Sequence, residues 1–378
     1  MTDVIILQRR VSHYRRKLFA RLWEEFGWKV VAARNPPGGD SSTGEDPEFI
    51  ERYDFRFPDP TNGFRCNVPL GKILRETGAK AVISEFSMRM SSTYELVARR
   101  RLMGGPTTLF WSHGYNMDRG LVGLRQSLIQ WSRSRLAALA DGHVCYSEEG
   151  RDYLSRYMSD ERLFVARNTI DSAHVQAVAR RSVAGQPPGR PHILTIGRLT
   201  LDKDFPRLVR VFHRLREDFP NAGLTIIGDG VDLERVRAAA GSSLGDSIIM
   251  TGAIYEEEEL APYLLSADAV VFTGAVGLSV NHALAYGVPV IAFDRTPTGP
   301  HHHPEIAYVV DGVTGLRVPQ NTDEALAATL RDFFTRYADP RAAFRDSIEG
   351  YVAKNLTLDT YVEDFREVNL FIHDLLRK

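Results

Sequence analysis

Apolar runs of strand length alternate with helical segments along this chain, which predicts an α/β protein built on parallel sheets. The stretch from Pro191 to Pro289 shows the pattern best. A strand at His192 to Ile196 runs directly into GRLTLDK, and LTIIGDG at Leu224 to Gly230 repeats the design of an apolar run broken by glycines. AVVF at Ala269 to Phe272 then leads through TGAVGLS into a short helix and another buried strand. Ligands of such sheets sit at the carboxyl ends of the strands.

The 378 residues suffice for two or three domains with large cores, and a hydrophobic content of 43% suits a globular chain. Only Cys66 and Cys145 occur, so neither a disulfide framework nor a thiolate metal cluster is expected. No apolar run reaches membrane-spanning length and Met1 to Val30 lacks the form of a secretory signal, which makes the cytoplasm the simplest compartment. Charge is unevenly divided: 26 Lys and Arg face 21 Asp and Glu over residues 1–171, against 21 and 27 over the remainder. The basic residues of the first half fall on predicted helices at Arg9 to Trp23, Leu96 to Leu102 and Leu124 to Leu139. Such faces suit an anionic membrane surface or a lipid-diphosphate acceptor, and equally a plain solvated helix face. No nucleic-acid motif accompanies the charge.

VIIL at Val4 to Leu7 reads as the first buried strand, followed by a helical segment that places Val11, Leu18 and Leu22 on its apolar side and carries His13 and Arg15. Asn35 to Asn67 is rich in Pro, Gly, Ser and acids and reads as a long surface loop, with a short strand around Tyr53 to Phe57. AKAVISEF, Ala79 to Phe86, is a strand ending at Glu85, a carboxylate placed for acceptor binding or base work, or for capping the next helix. A further strand, Thr108 to Trp111, ends in Ser112-His113-Gly114, and strands follow at Gly142 to Ser147 and from Phe164. VAGQPPGR, Val183 to Arg190, is the clearest low-order segment and marks a linker over 172–190 at which closure would hinge. A long helix spans Thr357 to Leu376.

Three features of the second half point to a bound phosphate. Gly274 and Gly277 let backbone N–H groups approach an anion closely, and a helix starting near Ser279 offers free N–H groups and its positive dipole end. Arg198 and Lys203 add positive charge from another strand end, the first suited to forked contact and the second a compact point charge. Each feature alone is as well explained by turns and solvated cations. The three adjacent histidines at His301 to His303 do not suggest a metal, because successive loop positions rarely converge on one ion and no partner at ligand spacing accompanies them.

GRL, a lysine five residues after the arginine, IGDG, SADAVVF and a GL loop leading into ALAYGVPVIA resemble the carboxyl half of family 4 glycosyltransferases, from about residue 190 to 330. The resemblance implies the GT-B fold, an α/β architecture of two Rossmann-like domains facing across a cleft. It divides the chain into an acceptor-binding domain at 1–171, the linker, a nucleotide-sugar-binding domain at 191–355, and a helix at 356–378 that returns to the first domain. It further implies that Arg198 and Lys203 grip the donor diphosphate together with Gly277, Leu278 and Ser279, and that Gly228 and Ile254 lie along the nucleotide. His113 then faces the reacting groups, with Glu85 as its catalytic companion, and His13 and Arg15 stand on the acceptor side where family members often have a glycine-rich loop.

One departure from the family pattern is clear. The two glutamates expected eight positions apart around the GL loop are Gly274 and His282 here. His282 can still hydrogen-bond a ribose hydroxyl, whereas Gly274 leaves only a backbone N–H and room for a sugar. Glu305, in a P-E element like the family's, could supply the missing carboxylate or help hold the ribose, or serve a helix start near Pro304. The expected function is transfer of a sugar from a nucleotide diphosphate sugar to a saccharide or lipid-linked acceptor, retaining and without a metal or other cofactor, of the kind used in bacterial surface polysaccharide synthesis. An epimerase of the same fold and a non-catalytic nucleotide-sugar binder are the alternatives, and the donor base and sugar are not readable.

Overall fold

The computed structural model describes residues 3–34, 36, 46–58, 65–115, 123–296 and 299–378. Its first unit begins with β1 (Val4–Gln8), α1 (Arg15–Phe26), β2 (Lys29–Ala33), β3 (Ile50–Tyr53), α2 (Leu70–Thr77) and β4 (Ala81–Glu85). It continues with α3 (Ser91–Met103), β5 (Thr107–Ser112), α4 (Leu124–Ala137), β6 (Gly142–Cys145), α5 (Glu148–Leu154) and β7 (Leu163–Val165). These strands form one parallel sheet in the order β3-β2-β1-β4-β5-β6-β7.

β-Branched runs such as VIIL and KVVAA are apolar on both sides because the sheet is covered on both faces. Val4 and Ile6 share a core with Leu18, Phe19, Leu22, Trp28 and Trp111, whereas Ile5 and Leu7 point the other way, into a core with Leu70, Ile73 and Leu96. α1 begins at Arg15 rather than near Arg9, since the backbone N–H of Arg9 is taken by Glu85 and a turn from Ser12 to Arg15 intervenes. The short strand expected at Tyr53 to Phe57 lies at Ile50–Tyr53, and much of the long loop around it falls outside the described residues.

The second unit opens with α6 (Ser172–Arg181), β8 (His192–Ile196), α7 (Phe205–Asp218), β9 (Gly223–Ile227), α8 (Leu233–Ala240), β10 (Ile248–Gly252) and α9 (Glu257–Ser266). β11 (Ala269–Phe272), α10 (Ser279–Ala285), β12 (Val290–Phe293), β13 (Gly315–Val318), α11 (Asp323–Arg336) and α12 (Pro340–Asn355) complete it. Its parallel sheet runs β10-β9-β8-β11-β12-β13. α13 (Leu358–Arg377) then belongs to the first unit, packing Tyr361, Val362, Phe365, Val368 and Ile372 into the core that holds Trp28 and Trp111.

The linker reading of 172–190 needs correction. Asp171 caps α6 through the His174 N–H, and α6 packs on α9 and α10 within the second unit, which begins at Thr169. Val183 to Arg190 is docked to the same unit as well, through Gly185 N–H to the Pro262 carbonyl and Arg190 N–H to that of Asn221. The chain passes from one unit to the other at Asn168–Thr169 and again at Thr357–Leu358.

Candidate functional site

At the carboxyl ends of the second sheet, the loops after β8, β11 and β12 meet. Lys203, on a short turn of helix at Leu201–Lys203, donates from Nζ to the Ala275 carbonyl at 2.6 Å. Thr273 Oγ1 donates to the Asp204 carbonyl at 2.8 Å, and Ala275 N–H to that of Asp202 at 2.8 Å. These bonds hold Asp204 at φ 45°, the one non-glycine residue in the left-handed region among the described residues. Burial, and then the like charge of Arg198, pull the Lys203 ammonium below the ordinary lysine range, against the attraction of Asp202 and Glu305. Arg198 is exposed, and its guanidinium makes no hydrogen bond or ion pair among the described residues.

The GL loop completes this arrangement. A side-chain carbon at Gly277 would stand 3.8 Å from Lys203 Nζ, so its backbone lies against the ammonium. Among the described residues the N–H groups of Gly277, Leu278 and Ser279 donate to no other residue. Two like charges beside three undonated N–H groups form an arrangement that an anion relieves. The loop is held from behind by His302, whose buried Nδ1 accepts from Val276 N–H at 3.1 Å, while His303 N–H donates to the Val276 carbonyl. Burial, then the charge of Arg295, push the His302 pKa down to about 3, so the ring is neutral and able to accept. One of the three adjacent histidines is therefore a strut for the loop. Among the described residues, no group of His, Cys, Asp and Glu is arranged to hold a metal ion.

Gly274 does not leave room for a sugar at its side-chain position. A Cβ there would lie 2.2 Å from the Asp202 carbonyl oxygen and 2.5 Å from Lys203 Cα, so the Lys203 turn fills the space. Glycine is needed at Gly274 for that close approach, and no carboxylate can stand there while the turn is in place. Gly228 is accounted for in the same way: a Cβ would lie 1.9 Å from the Gly197 carbonyl oxygen where β8 and β9 end. Ile254 is half-buried beyond β10. Glu305 is 3% exposed in a short helical turn at Pro304–Tyr308, within electrostatic reach of Lys203.

His282 is already engaged. Its Nε2 lies 2.7 Å from Glu257 Oε1 across the gap between α10 and α9, and Tyr286 donates to Glu257 Oε2 at 3.1 Å. Burial raises the Glu257 pKa, but the hydrogen bond and charge of His282 more than offset it and leave the group low. Glu257 belongs to the acidic first turn of α9. The link to His282 joins residues 25 positions apart, and no local spacing announces it.

In the first unit, Glu85 is held by Arg9, which donates from its backbone at 3.2 Å and from Nε at 2.9 Å. Burial would raise the Glu85 pKa, but the charge and hydrogen bonds of Arg9 hold it below the ordinary carboxylate range. The expectation of helix capping is corrected, since α3 has no side-chain cap; the carboxylate is instead paired with Arg9. Arg15 is drawn inward, donating to Gln8 Oε1 at 3.1 Å and Tyr146 at 2.6 Å, with its guanidinium 4.9 Å over the Trp111 ring. His113 follows β5, half-buried, with its ring 4.8 Å from that of Tyr146. Arg133 fixes the turn after it by donating to the Gly114 carbonyl at 2.8 Å, and Ser112 Oγ accepts from Gly114 N–H. His13 is exposed ahead of α1.

These features define an α/β protein whose second sheet offers, at its strand ends, an edge suited to an anion. Residues 179–349 match the family model described as glycosyl transferases group 1. The chain is 27% identical over 197 residues to alpha-monoglucosyldiacylglycerol synthase of Streptococcus pneumoniae, covering 49% of this chain and 44% of that protein. It is 30% identical over 172 residues to a GDP-mannose-dependent alpha-(1-6)-phosphatidylinositol monomannoside mannosyltransferase of Mycolicibacterium smegmatis, covering 43% and 42%. The matches thus span less than half the length of either relative. Among solved structures, sucrose-phosphate synthase of Thermosynechococcus elongatus superposes over 100% of both chains with a TM-score of 0.71 at 16% identity, which establishes the shared GT-B fold.

Proposed function

We propose that this protein is a glycosyltransferase that moves a sugar from a nucleotide diphosphate sugar to a saccharide or lipid-linked saccharide acceptor. The observation that carries the reading is the meeting of Arg198, Lys203 and the undonated N–H groups of Gly277 to Ser279 at one strand edge. As the anomeric bond breaks, negative charge grows on the departing diphosphate, and these fixed groups stabilise it with little reorganisation and without calling on a metal. Glu305 orients Lys203 electrostatically, and the His282–Glu257 pair offers polar atoms to the ribose. His113 is assigned to the acceptor hydroxyl, with His13 and Arg15 on the acceptor side. Retention of anomeric configuration belongs to this reading, as does a role in bacterial surface glycan synthesis.

The names of the two relatives concern a glucosylated diacylglycerol and a phosphatidylinositol mannoside, which supports a lipid-borne acceptor here. Such an acceptor brings the protein to an anionic membrane face. No helix among the described residues is long and apolar enough to cross a membrane. A second reading, a non-catalytic nucleotide-sugar binder, draws support from the filled space at Gly274. Donor binding with neither transfer nor hydrolysis would establish it.

The test is a thermal-shift screen against UDP, GDP, dTDP, ADP and CMP, run on the parent, Lys203→Ala and Arg198→Ala. A ligand bound only by the folded state raises the melting temperature. One nucleoside diphosphate should stabilise the parent and fail to stabilise Lys203→Ala. Equal stabilisation of all three proteins would overturn the diphosphate assignment.

A further inference from the structure

Of the three basic helices in the first half, two have their charges engaged. On α1 and the residues before it, Arg9 pairs with Glu85, Arg16 with Asp46 and Arg21 with Asp359. On α3, Arg99 pairs with Glu95 and Arg100 with Asp141. α4 differs in kind. Its inward face carries the polar residues Gln130 and Ser134, both buried, with Ser134 Oγ donating to the Gln130 carbonyl at 2.9 Å, and reaches the core only through Leu136 and Ala137. Its outward face carries Leu124 at 87% exposure, Leu128 at 66%, Ile129 at 44% and Trp131 at 51%. Leu124, Leu128 and Trp131 are spaced as one helical stripe, so most of the large apolar side chains of this helix face outward, against the usual amphipathic pattern of a globular protein.

Arg125 and Arg135 flank the stripe, exposed and without an ion pair among the described residues, and Arg135 lies 5.7 Å over the Trp131 ring. No acidic residue occurs from Gly123 to Ala140. The end of α3 extends the surface: Arg101 donates to the Leu139 carbonyl, and Leu102 and Met103 are 82% and 72% exposed.

We propose that α4 is the element by which this protein lies on an anionic lipid bilayer. The inference deepens the membrane-facing part of the reading above by naming the surface. Leucine and tryptophan side chains enter the headgroup boundary, tryptophan being suited to that depth, while the flanking arginines reach lipid phosphates. The charge distinguishes this occupant from a second copy of the chain, since two such faces apposed would set arginine against arginine.

The experiment measures binding of the full chain to vesicles of phosphatidylcholine alone and of phosphatidylcholine mixed equally with phosphatidylglycerol. The parent should bind only the anionic vesicles, release in salt, and show a blue shift from Trp131, the most exposed of the four tryptophans. Leu124→Ser/Leu128→Ser should lose binding and the blue shift together. Arg125→Glu and Arg135→Glu should each weaken binding at least roughly fivefold. All these side chains are exposed, so the variants should keep the parental melting temperature and the parental response to nucleotide. Parental binding that ignores phosphatidylglycerol, a leucine variant that binds like the parent, or a parental dimer dissolved by that variant would each overturn the proposal. Vesicle binding without any nucleotide response would instead count against the donor reading alone.

Discussion

The two sheets present their carboxyl edges in opposite ways. In the first unit the polar groups there satisfy one another: Arg9 with Glu85, Arg15 with Gln8 and Tyr146, and Ser112 with the buried His143 at 2.9 Å. In the second unit Arg198 is exposed without an ion pair among the described residues, Lys203 is crowded by a like charge, and three N–H groups donate to nothing described. The Arg9–Glu85 pair at the first edge is scaffold, and substitutions of either residue should act on stability. The second leaves its polar groups available for the anion proposed above, so substitutions there should act on binding.

The sharpest way to break this contrast is Arg9→Leu. It strands a carboxylate in a partly buried place and should cost about 3 kcal/mol in denaturant unfolding, while the nucleotide response stays unchanged. The pair also sets a pH signature. Because Glu85 has a lowered folded pKa, its contribution is fully present above its unfolded value and fades as pH falls through the folded one, below roughly 4.3. Arg9→Leu should remove that part of the acid dependence.

Gly274→Glu supplies the carboxylate that resemblance to the family would ask for, yet it should cost about 1–3 kcal/mol and abolish nucleotide stabilisation, because the Lys203 turn must move. Restored or improved binding would show that the turn yields easily. Next in size is a slope from two histidines. Burial, with Arg133 for His143 and Arg295 for His302, depresses both pKa values to about 3, so both rings must be neutral in the fold. Their contributions are present above the unfolded value near 6.5 and are lost as pH falls towards 3, each adding up to about 1.4 kcal/mol per pH unit. His302→Leu should lower that slope and also loosen nucleotide binding through Val276, which separates it from His143→Leu.

The smallest effects concern titration and orientation at the open edge. Lys203 loses its proton at lower pH than an ordinary lysine, so nucleotide affinity should decline on the alkaline side before an unperturbed lysine would allow. Affinity flat up to the ordinary lysine pKa would contradict the assignment. His282→Ala leaves Glu257 with one partner fewer and should weaken nucleotide binding by about 1 kcal/mol. Calorimetric titration reads both.

The alternation of strands and helices was legible because an α/β sheet covered on both faces writes itself as apolar runs, as VIIL and AVVF do. The positions of Arg198, Lys203 and the GL loop were legible for a related reason, since each follows such a run directly. What escaped is mostly tertiary pairing. Nothing local joins Glu257 to His282, Arg9 to Glu85, or His302 to the Val276 N–H, yet these contacts decide which groups remain available. Gly274 was legible as a missing carboxylate but not as a packing necessity, because its neighbour is the backbone of Lys203, about seventy residues earlier. The predicted linker failed because its Pro and Gly residues fix docked turns in the second unit.

The return of α13 has a consequence for how the protein is made. The face of the first sheet that holds Trp28 and Trp111 is closed by Tyr361 and Phe365, which the ribosome reaches only after the whole second unit. At about 5–20 residues per second, Thr169 to Thr357 takes roughly 10–40 s to synthesise. For that interval a large aromatic surface waits without its cover. The core of the first unit becomes complete only when α13 has emerged.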